Sequence, residues 1–331
     1  MTESKIKTSH CIEKQNAGKS LEGRLHPDLH RIYSLCPESD PVADVAYTRS
    51  IFRLPEPFVP GDDLMIEKAM ISSGGCDIPV RIYRPSAPAE HRPALLYIHG
   101  GGYVIGDPEL NAAECANYAL SAGCVVVAPS YRLAPEHKFP AAIDDCYATL
   151  LWMSANAERL GIDPGRIAVL GESAGGGLTA ATCLRARDER GPGICLQVLL
   201  YPMLDSRNIT PSSYEVEDKK VWNRHCNVEA WKMYLGRPED GGNPYASPTH
   251  AADLAGLPPT YMVVGQLDLF RDEDMDYAAR LMRAEVPVEL HIYPGAFHGF
   301  ISYAPNTPLC RRASGEYIEA LCSAFAAKEM R

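Results

Sequence analysis

Gly171-Glu172-Ser173-Ala174-Gly175 joins a hydroxyl nucleophile to the small neighbours that an exposed one needs. The five residues follow an apolar run, IAVL at 167–170, and precede the small-residue helical run AGGGLTAATCL. A serine at a sharp strand-to-helix turn is held in strained backbone geometry, and small flanking residues relieve the crowding. Its Oγ then points out of the sheet, and the amide of Ala174 sits at a helix N-terminus with a positive partial charge. Chance alone would produce this pattern roughly 0.1 times in such a chain, so the strand before it and the helix after it carry most of the weight.

His99-Gly100-Gly101-Gly102-Tyr103 directly follows a second apolar run, ALLYI at 94–98. Three consecutive glycines let backbone amides approach a ligand closely. In an ester hydrolase the amides of Gly101 and Gly102, joined by that of Ala174, would face the developing alkoxide as an oxyanion hole. A plain glycine turn is the ordinary alternative. A nucleotide loop is the functional rival, since Gly100, Gly102 and Gly106 give G-x-G-x-x-x-G. That spacing misses the dinucleotide fingerprint by one residue, and the strand that should end in a ribose-binding acid ends in Ala128-Pro129-Ser130.

A serine nucleophile needs a base, and the base needs an orienting carboxylate, in the chain order serine, acid, histidine. Downstream of Ser173 stand His225, His250, His291 and His298. His291 alternates within the strand-like VELHI, His225 lies in an irregular stretch, and His250 sits in a turn. His298 follows VELHI across a Pro-Gly turn in GAFHGF, where a loop-borne base belongs, although an exposed loop histidine would read the same way. Asp268 follows the run TYMVV in GQLDLF, one loop earlier. Asp272, Glu273 and Asp274 begin a helix, where capping and dipole pairing account for them. The histidines lack ligand spacing with cysteines or carboxylates, so neither a metal nor another cofactor is expected.

These residues must be positioned by strands at 64–71, 78–83, 94–98, 124–128, 167–170, 196–201, 260–264 and 288–292. Helical patterns lie near 24–35, 109–121, 140–159, 174–187, 272–284 and 311–326. The alternation predicts an α/β fold with a mostly parallel eight-stranded sheet covered by helices on both faces, its first two strands antiparallel. Residues 205–246 break the rhythm, with Trp222, Trp231, EVED and GRPEDGGNP but no convincing strand. They read as an insertion emerging at one end of the sheet, and residues 1 to about 20 as a loose polar terminus.

Composition narrows the classes. The 331 residues are 46% hydrophobic and 22% charged, as in soluble globular proteins. The net charge is 32 − 42 = −10 without a basic patch, which argues against nucleic acid and anionic membranes. Eleven cysteines with no C-x-x-C, an odd number, point to reduced thiols and a cytoplasmic setting. No secretory leader is evident, nor any run of the roughly 18 to 20 apolar residues that would insert stably in a bilayer.

HGGGY at 99–103, YRLAPEHKFPAAIDD at 131–145, GESAGGG at 171–177, YPMLD at 201–205, LPPTYMVVGQLDLFRDE at 257–273 and FHGF at 297–300 together resemble the hormone-sensitive-lipase-like esterases of the α/β-hydrolase superfamily. The likeness covers about 65 to 325, and LHPDLHRIYSL near the start resembles the family's first cap helix. It implies hydrolysis of carboxylic esters with Ser173 as nucleophile, His298 as base, Asp268 as orienting acid and Gly101, Gly102 and Ala174 as oxyanion hole. It gives His99 a structural role. One departure is Ser130, where relatives often carry Asp, at a position away from the proposed triad. The resemblance also implies a cap formed by residues 1–48 and the 205–246 insertion over a catalytic domain of residues 49–331. Tyr33, Tyr103, Tyr214 and Trp222 are candidate walls of its substrate pocket, each equally suited to cap core.

Family members often pair through the last strand, so a homodimer is a further expectation. The substrate would be a small-molecule ester of short to medium acyl chain. A specific lactone or acetylated metabolite is the alternative bond. A non-catalytic ligand-binding protein is the rival class, as in the gibberellin receptors of plants, which resemble this family but lack the triad histidine. Because an imidazole base must start neutral, activity is expected to rise through about pH 6 to 7.

Overall fold

The computed structural model describes residues 20–52 and 56–327. Eight strands form one sheet: β1 (Leu64–Ser73), β2 (Cys76–Pro85), β3 (Arg92–Ile98), β4 (Val125–Pro129), β5 (Ile162–Glu172), β6 (Leu196–Leu200), β7 (Thr260–Gly265) and β8 (Val288–Tyr293). Their spatial order is β1-β2-β4-β3-β5-β6-β7-β8. β1 and β2 form an antiparallel hairpin, β2 pairs antiparallel with β4, and every later pair is parallel. All eight expected strands are present, within a few residues of the apolar runs that define them.

The parallel strands are covered as their composition demands. Every residue of β4, β6 and β7 is buried. Helices Ala112–Ser121, Ala141–Ala155, Ala174–Asp188, Arg271–Arg283 and Pro308–Ala326 pack against the sheet. β8 closes one edge with half-exposed side chains. Cys115, Cys124, Cys146 and Cys183 are buried thiols packed as small core residues. Among the described residues no helix is long and apolar enough to cross a membrane.

The N-terminal segment departs from the expected helix. Residues 24–35 give a short 3-10 turn at Pro27–Leu29 and a short helix at His30–Leu35. Pro27 cannot donate to a preceding turn, and the Asp28 amide turns back to His26 Nδ1 at 3.2 Å. Leu25, Leu29 and Tyr33 are buried while Leu35 is exposed, so the apolar spacing does not describe one continuous buried face.

The 205–246 stretch lacks strands, as expected, and contains helices Pro211–Glu215 and Arg224–Tyr234. It meets the N-terminal segment directly. The Tyr33 hydroxyl donates to Asp218, the Ser39 amide donates to the Lys219 carbonyl at 3.0 Å, and His225 Nε2 lies 3.0 Å from Asp40 Oδ2. The N-terminal segment also reaches the turn after β8, because the His26 amide donates to the Gly295 carbonyl at 2.9 Å.

Candidate active site

Ser173 occupies the turn between β5 and helix Ala174–Asp188 with φ 55° and ψ −121°, a conformation costly for a residue with a side chain. Neighbouring strands hold it there. Its amide donates to the Leu200 carbonyl at 2.9 Å, and its carbonyl accepts from the amides of Gly177 at 3.1 Å and Met203 at 2.9 Å. The flanking glycines are steric necessities. A Cβ on Gly171 would stand 2.1 Å from the Gly175 carbonyl oxygen, and one on Gly175 would stand 2.1 Å from that of Ile98.

His298 lies on the turn after β8, and Asp268 on the turn after β7. Nε2 of His298 is 2.9 Å from Ser173 Oγ, and Nδ1 is 2.9 Å from Asp268 Oδ2. The other carboxylate oxygen of Asp268 accepts the Phe270 amide at 2.9 Å, which fixes the plane of the group. An acceptor-only carboxylate at Nδ1 places the proton there, leaving the Nε2 lone pair for the serine hydroxyl. Asp268 is 1% exposed, His298 7% and Ser173 8%, so the hydrogen-bonded chain is nearly withdrawn from water. Tyr201 and Phe270 meet the imidazole edge-on, with ring centroids 5.1 and 5.0 Å away.

The glycine loop after β3 runs beside the serine, since a Cβ on Gly100 would lie 3.4 Å from Ser173 Cβ. Gly101 has φ +114° and its Cβ would lie 2.1 Å from the Ile105 carbonyl oxygen; Gly102 has φ +61°. Among the described residues the amides of Gly101 and Gly102 have no hydrogen-bond acceptor, as donors reserved for a ligand should be. His99 supports the loop from below. Its ring stacks on Tyr131 at 4.2 Å, Nδ1 lies 2.7 Å from the Gly100 carbonyl oxygen, and burial pushes its pKa down, favouring the neutral form.

The candidate pocket walls separate. Trp222 lies against the glycine loop: its Cη2 would be 2.5 Å from a Cβ on Gly102, and its Nε1 donates to Asn227 Oδ1 at 3.3 Å. Tyr33 packs on Phe297, the neighbour of His298, with centroids 6.1 Å apart. Tyr103 is buried, donates to the Met203 carbonyl at 3.2 Å and stacks on Tyr234, so it packs as core. Tyr214 carries the Arg224 guanidinium 3.6 Å from its ring centroid, on the side of the 205–246 stretch.

His225 and His291 lie outside the hydrogen-bonded chain. His225 pairs with Asp40, and His291 with Glu289 and Glu316. The acids that start helix Arg271–Arg283 depart from the capping role: the N-cap residue is Phe270, and it is the Ser212 hydroxyl that accepts the Asp272 amide, at 3.1 Å. Glu273 Oε1 instead accepts the amides of Leu204 at 2.8 Å and Asp205 at 3.1 Å, tying the helix to the loop after β6. Tyr201, Phe270 and Glu172 are the residues that motif reading passed over. Tyr201 and Glu172 stand inside YPMLD and GESAG, but only the folded chain sets Tyr201 against His298 and Glu172 against the Tyr201 hydroxyl. Among the described residues no group of His, Cys, Asp and Glu has a metal-binding arrangement.

A mostly parallel sheet with a strained serine after its fifth strand, and an acid and a histidine after its last two, defines an α/β hydrolase. The family described as alpha/beta hydrolase fold matches residues 95–302. The chain is 37% identical over 264 residues to the carboxylesterase NlhH of Mycobacterium tuberculosis, covering 78% of this chain and 82% of that protein. It is 38% identical over 263 residues to the esterase LipI of the same organism, again covering 78% and 82%. Among solved structures, a bacterial heroin esterase superposes with a TM-score of 0.86 at 37% identity, over 93% of this chain and 100% of that one. The chain belongs to the α/β-hydrolase family, in its hormone-sensitive-lipase-like branch of carboxylic ester hydrolases.

Proposed function

We propose that this ester hydrolase acts by two-step acyl transfer on small-molecule esters of short to medium acyl chain, with Ser173 as nucleophile, His298 as general base and Asp268 as orienting acid. One observation carries the reading: the chain of two 2.9 Å contacts from Asp268 through His298 to Ser173. His298 takes the Ser173 proton as Oγ attacks the ester carbonyl. The tetrahedral oxyanion is received by the amides of Gly101, Gly102 and Ala174. The alcohol leaves with the proton held on Nε2, and water repeats the sequence on the acyl-enzyme.

Support for a modest acyl chain comes from Trp222, whose indole stands against Gly102 and limits the space beside the oxyanion loop. The contacts between Tyr33 and Asp218 and between Ser39 and Lys219 support the described part of 1–48, from residue 20 onward, acting with 205–246 as a cap on a catalytic domain of residues 49–331; residues 1–19 lie outside the described residues. The half-exposed β8 edge favours pairing of two copies. The buried, unlinked thiols are consistent with work in the cytoplasm.

An ester panel from acetyl to about decanoyl, run on wild type and Ser173→Ala, tests the reading. Hydrolysis that declines toward the longer chains and vanishes in the variant is expected. A variant that hydrolyses as well as wild type overturns the nucleophile assignment. Turnover of lactones but not of open esters would move the substrate class to the alternative bond.

A further inference from the structure

We propose that Tyr201 is a positioning residue for His298, bracing the imidazole with an aromatic ring whose hydroxyl is anchored on Glu172. This rests on the reading of His298 as the general base.

Tyr201 follows the last residue of β6 with φ +38°, outside the ordinary range for a bulky side chain. Its amide donates to the Val263 carbonyl at 2.6 Å, and its side chain is 1% exposed. A residue held in that conformation is over-determined by its surroundings, and here those surroundings end on the base. The ring meets His298 at 5.1 Å between centroids with an interplanar angle of 73°.

The far end of Tyr201 is fixed by polar contacts. Its hydroxyl donates to Glu172 Oε2 at 3.1 Å and lies 3.3 Å from Ser302 Oγ. Ser302 itself donates to the same carboxylate oxygen at 2.8 Å. Glu172 Oε1 accepts from the Tyr97 hydroxyl at 3.0 Å and from Asn111 Nδ2 at 3.1 Å. One carboxylate with four donors, on strands and loops far apart in sequence, has little freedom to move. Glu172 precedes the nucleophile, Tyr201 ends the next strand, and Ser302 lies four residues beyond the base. The cluster therefore sets the position of His298 relative to Ser173 from behind, while Asp268 sets its rotation from the side.

The chemistry depends on that brace. Attack requires Nε2 to stay within hydrogen-bond reach of Oγ, and a misplacement near 1 Å can cost about a hundredfold in rate.

The variants Tyr201→Phe, Tyr201→Leu, Glu172→Gln and Tyr201→Phe/Glu172→Gln are compared with wild type and His298→Ala on one ester. Active-site titration with a phosphonate restricts every kcat to correctly folded sites. Tyr201→Leu is expected to lower kcat about tenfold to a hundredfold with KM within about twofold, and to shift the acid limb of the kcat/KM pH profile. Tyr201→Phe keeps the ring but frees it, and a loss of about three- to fivefold is expected. The double variant should lose no more than the larger of its two single losses, as members of one network do. Wild-type kcat and an unmoved acid limb in titrated Tyr201→Leu, beside an inactive His298→Ala, overturn the inference alone. A fully active His298→Ala overturns the base assignment and the inference with it.

Discussion

A methyl group added to Gly102 would stand 2.5 Å from Cη2 of Trp222, so the indole rests directly on the proposed oxyanion loop at a position with no side chain. Gly102 also has φ +61°, which a residue with a Cβ adopts only under strain. Gly102→Ala must therefore displace either the loop or the indole. A fall in kcat of about a hundredfold to a thousandfold is expected, the cost of one lost oxyanion donor. Steady-state kinetics on titrated enzyme check it, and a kcat within twofold of wild type would remove Gly102 from the hole.

Trp222 should set the size of ester that fits. Its indole is held by Asn227, whose amide in turn hydrogen-bonds Asn208. Truncation to alanine leaves that pair intact and opens space beside the serine. The ratio of kcat/KM for an octanoyl over an acetyl ester is expected to rise about tenfold in Trp222→Ala, in line with what a few methylenes contribute in an apolar pocket. An unchanged ratio places Trp222 in the cap core.

Asp268 is expected to act through the histidine tautomer rather than through stability. An asparagine can still accept the Phe270 amide that Asp268 accepts at 2.9 Å. It would, however, favour the wrong imidazole tautomer, and Asp268→Asn should lower kcat by about ten-thousandfold. Its thermal midpoint should stay within a few degrees of wild type. A loss of kcat below tenfold would show that another acid orients His298.

Asp274 gives a pH dependence to stability. It is fully buried, and neither carboxyl oxygen has a hydrogen-bond partner among the described residues. Burial first, then the charges of Glu273 and Asp268, push its pKa well above the usual carboxylate range. The folded state thus keeps a proton that the unfolded chain releases. Stability is greatest below the unfolded value, near pH 4, and declines as pH rises toward the folded one. Asp274→Asn removes that group, so its urea midpoint relative to wild type should increase between pH 5 and pH 8. A difference that stays constant across that range would mean Asp274 is ionised in the fold.

The sheet was legible because its strands are apolar, β-branched runs, and a run such as VVVA has no other stable place than a strand covered on both faces. The candidate triad residues were legible because each stands within about five residues of the end of such a run. The N-terminal segment was harder. Leu25, Leu29, Ile32 and Leu35 have helical spacing, yet Pro27 and the His26 side chain turn the chain into short pieces, and Leu35 faces solvent. Glu273 looked like a helix-start acid but caps a loop about 70 residues earlier in the chain. Nor does Tyr201 announce itself, because its place depends on a positive φ and on contacts of its hydroxyl with Glu172 and Ser302 that only tertiary structure assembles. Among the pocket candidates, spacing could not separate Trp222, which lies against Gly102, from Tyr103, which is buried against Trp231 and Tyr234.

The contact between His26 and Gly295 joins the first described segment of the chain to the turn that delivers His298. A Cβ on Gly295, where φ is +69°, would come within 2.4 Å of the His26 nitrogen, so the two backbones fit only without a side chain between them. Exchanging lids between related enzymes is an obvious route to new substrate ranges, and here it is not a cassette operation. A transplanted N-terminal segment would also have to reproduce the backbone seam at Gly295, or the donor's selectivity would arrive with a misplaced base.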